Sequence, residues 1–401
     1  MKTAIYLVLF LFLISCDGKK DNMLTKNWKG YLEISEEKAI PFYFELEDST
    51  VIIIQNGEER IKINGSKNEN TILFPFEAYN SYLTINQFSS DLISGVFVNE
   101  DRKENNKMSF KAHPYNKTPT IDRNKVEKQK WEVYFNYDEP SKYPAVGLFY
   151  LFDNNYIEGT FLTETGDYRF LSGQIENNKM TMSCFDGSHA FLFEADFFDD
   201  SLNGLFYSGA HWKTNWYGIK NDTFELKDPY LITQLVNEQP LEFSKPDLSN
   251  TTVHFPSSKF EDKVVIIQVF GSWCPNCMDE INYFNQLYEK YNHKGLEIIG
   301  LGYEIPKETE GKINRLKKLK KRKNIAYTLL LGGEASKQQA CEDFPMLNSI
   351  SSFPTTLILN RKGEIVKIHT GFNGPGTGEL FENYKAEMEK TIEIILKPEV
   401  N

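Results

Sequence analysis

Residues 264–280 read VVIIQVFGSWCPNCMDE, and the C-terminal part of the chain is organised around this stretch. The run from Val264 to Phe270 is apolar apart from Gln268, which is typical of a strand with both faces buried. A short turn then leads into Cys274-Pro-Asn-Cys277, a spacing that fits the first turn of a helix. The sequence therefore predicts a buried strand, a turn and a helix, with two cysteines where the helix begins.

The two cysteines have the spacing of a redox pair. Since the thiolate attacks and the thiol does not, a redox cysteine needs a lowered pKa, and the N-terminal end of a helix favours negative charge. Cys274 would occupy that end, and Cys277 would lie one turn further in. Pro275 suits the first helical position, where no N–H donor is needed. We therefore expect Cys274 to attack and Cys277 to resolve the mixed disulfide.

Two other uses of the pair are a structural disulfide and part of a metal site. A zinc site would need two more ligands, whereas Cys184 and Cys341 are isolated in the sequence and the six histidines show no helical pairing. A copper carrier could use Met278, but nothing else in the chain is methionine-rich. The redox interpretation is favoured, and we predict no metal site.

Beyond this stretch, predicted strands and helices alternate. The strands lie at about residues 264–270, 296–302, 327–331, 355–359 and 365–369, and the helices at about 275–292, 307–323, 335–344 and 378–396. Such alternation predicts βαβ units on a mixed sheet. We place this α/β domain at residues 251–401.

The order of these elements resembles the thioredoxin fold, and Trp273-Cys274-x-x-Cys277 with Glu280 three residues later resembles the TlpA/ResA-like thiol-disulfide oxidoreductases, a membrane-anchored branch of the thioredoxin superfamily. The resemblance covers about the last 150 residues. It implies an enzyme of the protein-disulfide reductase type that needs no bound cofactor. The implied partners are proteins with disulfides, such as apocytochrome c or misoxidised envelope proteins, and an upstream redox protein that donates electrons. The direction of the reaction stays open.

The same resemblance extends to a loop that precedes a predicted strand. Ser352-Phe353-Pro354-Thr355 is similar to the loop in which a cis proline packs against the dithiol and exposes backbone for an extended substrate segment. This implies that Pro354 belongs to the catalytic site and that Thr355, Trp273 and Pro275 support it. A trans proline before an edge strand is the alternative.

Two polar residues bear on proton transfer. Glu280 matches an acidic residue that tunes the dithiol or moves protons in the family, with an exposed helix carboxylate as the alternative. Gln268 stands where thioredoxins proper have a buried aspartate, six residues before the first cysteine. Because glutamine cannot accept and release a proton, the general acid or base must be Glu280 or water.

The N-terminus has the pattern of a lipoprotein signal peptide. Met1-Lys2 supplies positive charge, residues 4–14 are apolar, and Leu13-Ile14-Ser15-Cys16 resembles a lipobox. The apolar run is too short to span a bilayer comfortably. We predict a signal peptide at residues 1–15, a lipidated Cys16, a tether at 16–26 and a place in the cell envelope, on the periplasmic side of a membrane. A cleaved signal with an incidental cysteine is the alternative.

The region between the tether and the α/β domain is rich in aromatic and β-branched residues in short runs, which predicts an all-β sandwich or barrel. Trp28 and Pro41 have counterparts in Trp131 and Pro144, each 103 residues later. This offset favours a duplication, with units at 27–120 and 121–228, over coincidence in β-rich sequence. A proline-containing linker or docking arm follows at 229–250.

Polar residues of the second unit concentrate in two glycine-containing segments: Asp167, Arg169, Cys184, Asp186 and His189. One interpretation is that these residues line a pocket or face the dithiol. The other is that they have no direct function and are turn residues and a buried core thiol.

Two C-terminal stretches permit several interpretations. Residues 371–379 are rich in glycine and are predicted to form a turn that Thr377 caps at the start of the last helix, rather than a nucleotide-binding loop, because the glycines lack the spacing of such a loop. The helix at about 307–323 is basic and presents either a solvated face or a contact with anionic headgroups.

The formal net charge of −11 argues against general affinity for nucleic acid. The rival class of function is a binding lipoprotein, in which the β-rich region captures a peptide, glycan or envelope partner and the redox domain is accessory.

Overall fold

The computed structural model describes residues 26–76, 79–115 and 121–397. The predicted signal peptide and the predicted lipidation site Cys16 lie outside these residues, as does the predicted tether apart from Lys26. Within the described part, no helix has both the length and the apolar character to cross a bilayer.

The first β unit is one antiparallel sheet of nine strands. Alternate side chains, such as Phe42, Phe44 and Leu46, are buried because successive residues of a strand face opposite sides. The strands are β1 (Lys26–Ser35), β2 (Lys38–Asp48), β3 (Val51–Asn56), β4 (Glu59–Asn64), β5 (Ser66–Asn68), β6 (Thr71–Phe76), β7 (Ser81–Phe88), β8 (Ile93–Asn99) and β9 (Lys107–Pro114). Their order in the sheet is β4-β3-β2-β1-β9-β8-β7-β6-β5.

The second β unit repeats this arrangement and closes it. Its strands are β10 (Val126–Phe135), β11 (Tyr143–Phe152), β12 (Tyr156–Thr163), β13 (Gly166–Asp167), β14 (Leu171–Glu176), β15 (Lys179–Phe185), β16 (Ala190–Phe197), β17 (Ser201–Ser208) and β18 (Trp212–Lys220). The order is β11-β10-β18-β17-β16-β15-β14-β12-β13, and β11 also pairs with β12. The sheet is therefore closed and barrel-like.

Equivalent residues occupy equivalent places in the two units. Tyr31 pairs with Pro41 across β1 and β2, and Tyr134 pairs with Pro144 across β10 and β11. The first strand of each unit also pairs with the last, β1 with β9 and β10 with β18. The two units therefore share one topology, as the repeated tryptophan and proline predict.

The first sheet stays open, and the second unit fills the opening. Phe185, Ala190 and Leu192 belong to the apolar cluster that forms the core of the first unit. The side chain of Asn56 also exchanges two hydrogen bonds of 3.0 Å with the backbone of Phe185. The two units thus pack as one β region.

The C-terminal domain is a mixed sheet flanked by helices, which confirms the predicted fold class. The remaining strands are β19 (Phe243–Pro246), β20 (Thr252–Phe255), β21 (Val264–Phe270), β22 (Leu296–Glu304), β23 (Thr328–Glu334), β24 (Thr355–Leu359) and β25 (Ile365–Thr370), and the helices are α1 (Pro275–Tyr291), α2 (Thr309–Arg322), α3 (Lys337–Asp343) and α4 (Glu379–Ile395). The sheet order is β23-β22-β21-β24-β25, with β21, β22 and β23 parallel. Every residue of the central β21 is buried, as its apolar run predicts.

The stretch that the sequence predicts as a linker or docking arm, residues 229–250, lies against the C-terminal domain. Lys245 pairs with Asp343 at 2.6 Å, and Leu235 forms a bridge with Leu347. The strand β19 pairs with β20 at the entrance to the domain. This stretch is therefore docked along its length rather than free.

The start of the last helix differs from the prediction. Thr377 does not cap α4, because its hydroxyl is turned inwards and donates to the carbonyl of Gly374 at 2.8 Å. The residue before α4 is Gly378, whose φ of 59° lies in the left-handed region that favours glycine.

Several cationic side chains of the basic helix α2 are buried or make contacts within the protein. Lys312 is buried, Arg315 pairs with Asp101 of the first β unit, and Lys320 donates to the carbonyl of Tyr327 at 2.7 Å. The prediction of a fully solvated helix face is therefore wrong for these three residues.

Candidate active site

The dithiol lies where the turn after β21 enters α1. Cys274 is the N-cap residue, and its Sγ accepts a hydrogen bond from the N–H of Cys277 at 3.2 Å. Pro275 is the first helical residue, as predicted. The two cysteines form a disulfide with their Cα atoms 5.3 Å apart. Cys277 is completely buried and Cys274 is 6 % exposed, so Cys274 is the sulfur that a substrate can reach.

The loop before β24 packs on the dithiol. The peptide bond between Phe353 and Pro354 is cis, in agreement with the prediction. The Sγ atom of Cys274 lies 3.4 Å from the carbonyl oxygen of Phe353. Thr355 is buried, and its hydroxyl donates to the carbonyl of Ser352 at 2.8 Å. Thr355 thus holds the shape of the loop that faces Cys274.

A buried carboxylate supports the turn between β21 and Cys274. Glu304, the last residue of β22, accepts hydrogen bonds from the N–H and the hydroxyl of Ser272 at 2.9 and 2.6 Å. The next residue, Trp273, donates its indole N–H to the carbonyl of Tyr303 at 2.9 Å. Burial raises the pKa of Glu304 to about 7, although the hydrogen bonds from Ser272 lower it. Glu304 and Tyr303 together position the turn that carries Cys274.

A second buried carboxylate, Glu280, lies one turn of α1 beyond Cys277. It accepts hydrogen bonds from Nε2 of Gln268 at 2.7 Å, from the hydroxyl of Thr356 at 2.9 Å and from the hydroxyl of Tyr384 at 3.2 Å. Burial raises the pKa of Glu280 to about 7, although these three hydrogen bonds lower it. The alternative of an exposed helix carboxylate is wrong, and a carboxyl with this pKa can accept and release a proton at neutral pH.

The second β unit reaches the dithiol through the loop that follows β12. The carbonyl of Asp167 accepts from Nδ2 of Asn276, a residue between the two cysteines, at 3.3 Å. The carboxylate of Asp167 accepts from the N–H of Gly374 at 2.5 Å, and Arg169 pairs with Asp279 of α1. Of the residues that the sequence singled out in this unit, Asp167 thus contacts the dipeptide between the cysteines, and Arg169 contacts the helix that carries Cys277.

The other candidates of the second unit do not line the dithiol in this way. Asp186 lies 3.2 Å from Nδ1 of His189 and 3.5 Å from Nε of Arg169. Burial opposes its ionisation, but these neighbours hold the pKa of Asp186 at about 2. Cys184 is a free thiol in the core of the second unit, where burial raises its pKa. It is a packed thiol, and Cys341 is likewise free and half-buried.

Metal ligation finds no support in the described part of the chain. Within residues 26–76, 79–115 and 121–397, no three His, Cys, Asp or Glu side chains are grouped so that they could hold a metal ion.

Sequence reasoning missed three residues of the site: Glu304, Thr356 and Tyr384. Glu304 had a signal, because it ends a strand parallel to β21, and the carboxyl ends of neighbouring parallel strands meet at one edge of a sheet. Tyr384 had none, since it lies 104 residues from Glu280 and reads as an ordinary apolar position of α4.

Comparisons with known proteins match the C-terminal part of the chain. A family model described as the AhpC/TSA family matches residues 236–368. The chain is similar to the thiol-disulfide oxidoreductase ResA of Halalkalibacterium halodurans, with 28 % identity over 134 residues, 33 % of this chain and 68 % of the relative. ResA of Bacillus thuringiensis subsp. konkukian is 28 % identical over 127 residues, 31 % of this chain and 63 % of the relative. The crystal structure of StoA from Bacillus subtilis is 20 % identical with a TM-score of 0.28, over 38 % of this chain and 99 % of that chain.

The family match begins in the docked arm, includes the dithiol and the cis-proline loop, and leaves both β units outside. The similarity to ResA and the cysteine pair at the start of α1 agree with it. The C-terminal domain of this chain therefore belongs to the thioredoxin superfamily, as a TlpA/ResA-like thiol-disulfide oxidoreductase domain.

Proposed function

We propose that the chain is a lipid-anchored, extracytoplasmic enzyme that reduces protein disulfides with Cys274 and Cys277. The observation that carries this proposal is the place of Cys274. It caps α1, contacts the cis-proline loop and has a protonatable carboxylate, Glu280, two helical turns away on the same helix.

In the first step, the Cys274 thiolate attacks one sulfur of the substrate disulfide. A bond forms between Cys274 and that sulfur, the substrate S–S bond breaks, and the other substrate sulfur leaves as a thiolate that takes up a proton. The N-terminal end of α1 and the N–H of Cys277 stabilise the attacking thiolate.

In the second step, Cys277 attacks Cys274 and releases the remaining substrate sulfur. This forms the disulfide present in the structure, and the substrate has then gained two electrons and two protons. Because Cys277 is buried, its proton needs an acceptor inside the protein. Glu280 supplies that acceptor, because its pKa of about 7 lets the carboxylate take up a proton and return it.

The surroundings of Cys274 favour the reducing direction. Residues Pro275 and Asn276 between the cysteines are uncharged, and the hydrogen bonds of the Cys274 sulfur within the described part involve backbone groups only. Strong oxidants of this superfamily are those whose reduced form is especially stabilised. Because none of these hydrogen bonds involves a charged side chain, the reduced form here has less stabilisation than in such oxidants, so the dithiol gives up its electrons more readily.

Substrates and donors follow from the resemblance to TlpA/ResA-like proteins. We propose protein disulfides as substrates, among them those of apocytochrome c or of misoxidised envelope proteins, and an upstream redox protein that restores the dithiol. The two sulfurs carry both electrons, so the cycle needs no bound cofactor.

Insulin reduction tests the proposed activity. With dithiothreitol as the electron source, the native chain is expected to shorten the time before reduced insulin precipitates, because the dithiol passes electrons to insulin faster than the reductant does. An unchanged time of onset over a range of enzyme concentrations would contradict the activity.

The anchor is proposed from the sequence around Cys16. Lipid chains on this residue would hold the enzyme at a membrane, since each buried methylene contributes about 0.8 kcal/mol. On fractionation of cells, the native chain is expected with the membranes and Cys16→Ser with the soluble fraction. A Cys16→Ser form that stays with the membranes would overturn lipidation.

A cleft favours a second candidate function, capture of a peptide or glycan by the β region. The cleft has a volume of about 1120 Å³ and lies between the second β unit and α4. Val146, Leu148 and Tyr150, on the outer face of β11, give it an apolar wall. The redox domain would then be accessory, and a chain that binds its ligand without accelerating insulin reduction would favour this function.

A further inference from the structure

Residues 163–169, which we name the cover loop, lie against the dithiol. The hydroxyl of Ser352 donates to the carbonyl of Thr165 at 2.9 Å, and Nδ2 of Asn276 donates to the carbonyl of Asp167 at 3.3 Å. The cover loop therefore contacts both the cis-proline loop and the dipeptide between the cysteines.

These contacts occupy the side on which a protein substrate would dock. Ser352 precedes the cis-proline pair and is 2 % exposed, with its hydroxyl engaged by the cover loop. A disulfide must approach so that its S–S axis points at the attacking sulfur, and a disulfide on a folded surface brings bulky neighbours with it. The cover loop stands where those neighbours would lie.

Arg169 fastens the cover loop to the active-site helix. Its side chain is 6 % exposed, and the guanidinium pairs with Asp279 of α1, with Glu59 of the first β unit at 2.6 Å and with Asp186 of the second at 3.5 Å. One side chain thus ties both β units to the helix that carries Cys277. The hydrogen bond from Gly374 to the carboxylate of Asp167 adds to this attachment.

A second ionic tether lies on α2 and does not involve a residue of the cover loop. Arg315 donates through both terminal nitrogens to the carboxylate of Asp101 in the first β unit. The buried apolar residues of the C-terminal domain form a cluster of their own, and Tyr79 of the first β unit packs against both this cluster and the core of the first unit. The tethers themselves are polar, and polar interfaces between domains permit relative motion, so the β region can part from the dithiol with Tyr79 leaving one of the two clusters.

Resting on the function proposed above, we propose that the cover loop determines which disulfides Cys274 can reach. With both tethers closed, disulfides of small molecules react. A protein disulfide reacts only after the β region has moved off the cis-proline loop.

The test compares two reagents that share a reactive group and differ in size. The fully reduced native chain is treated with N-ethylmaleimide or with a maleimide on a long polyethylene glycol chain, and the modification of Cys274 is followed by peptide mass spectrometry. Asp101→Asn weakens the tether on α2, and Asp167→Asn weakens the attachment of the cover loop. Glu389→Gln, which removes an exposed ion pair with Lys290 inside the C-terminal domain, is the matched control.

We expect the rate of the large reagent, relative to the small one, to rise about tenfold in Asp101→Asn and in Asp167→Asn, because each loses a partly buried charged contact that holds the closed form. Glu389→Gln keeps the native ratio. The rate with insulin rises in the same two variants, while the rate with glutathione disulfide stays near the native value. Near-ultraviolet circular dichroism identifies any variant that fails to fold, and the two tethers are tested independently.

Equal ratios in the native chain, Asp101→Asn and Asp167→Asn overturn the proposal. Alkylation does not depend on disulfide reduction, so it reports on the cover loop whatever the enzymatic activity. A native chain that reduces neither insulin nor glutathione disulfide would count against the proposed function instead.

Discussion

Cys274→Ser is expected to reduce insulin no faster than dithiothreitol alone, because a serine hydroxyl neither ionises at neutral pH nor forms a disulfide. The other cysteines of the described part cannot replace it. Cys277 and Cys184 are buried, and the half-buried Cys341 accepts a hydrogen bond from the N–H of Ile350 at 3.0 Å. Turnover by Cys274→Ser above the rate of the reductant would show that another group begins the reaction.

Cys277→Ser is expected to fail at the later step. Cys274 still attacks, but the mixed disulfide cannot be resolved from inside and accumulates as a covalent adduct, seen on a non-reducing gel and cleaved by reductant. Cys184→Ser makes the same chemical change at a buried thiol outside the site and is expected to turn over without an adduct. An adduct through Cys277 in Cys274→Ser would reverse the assigned roles.

Glu280→Gln is expected to change how turnover depends on pH. With a pKa of about 7, Glu280 is mostly protonated below about pH 6 and cannot accept the proton of Cys277, whereas it is mostly ionised above about pH 8. The ratio of native to variant rates is therefore expected near one at low pH, rising through neutrality to roughly 100-fold. Because Cys274 ionises in both proteins, the effect of its ionisation on the rate cancels in this ratio.

Glu304→Gln is the matched control for this experiment. Burial also raises the pKa of Glu304 to about 7, but its partner is Ser272 in the turn before the dithiol. We expect Glu304→Gln to keep the native shape of the pH profile. If native and Glu280→Gln had the same profile, Glu280 would not be the proton acceptor.

The same carboxyl affects stability. Its pKa rises from 4.5 in the unfolded chain to about 7 on burial, so the folded chain binds this proton more tightly. The resulting stabilisation is fully present below about pH 4.5 and is lost as pH rises through 7, with a size on the order of 3 kcal/mol. In urea unfolding at acidic and at alkaline pH, the native free energy of unfolding is expected to fall more than that of Glu280→Gln.

The parts of the fold that were predictable depend on local sequence. The apolar run of β21 and the two cysteines three residues apart specify a strand, a turn and a helix with few alternatives. The shared topology of the two β units was predictable because Trp28 and Trp131, and Pro41 and Pro144, occupy corresponding strands whose pairing constrains them. Each of these signals lies within one continuous stretch of sequence or in a motif that the sequence repeats.

Contacts between distant segments were not predictable in the same way. Arg169 and Asp279 are 110 residues apart, and no periodicity connects a turn of a β unit with a helix of another domain. The sequence identified Arg169 as a candidate but could not choose between a turn residue and a group at the dithiol. Thr377 was a wrong prediction of a local contact. Threonine is a suitable residue to cap a helix, but a short 3-10 turn directs its hydroxyl to the carbonyl of Gly374 instead of to α4.

The reduction potential of the Cys274 and Cys277 couple in the full chain tests the central claim most directly. It can be measured by equilibration in thiol–disulfide buffers, with the fluorescence of the adjacent Trp273 as a readout. Because the hydrogen bonds of the attacking sulfur within the described part involve backbone groups and no charged side chain, we expect a value close to the roughly −270 mV of thioredoxin. A value close to the roughly −120 mV of a strong dithiol oxidant would contradict a protein-disulfide reductase.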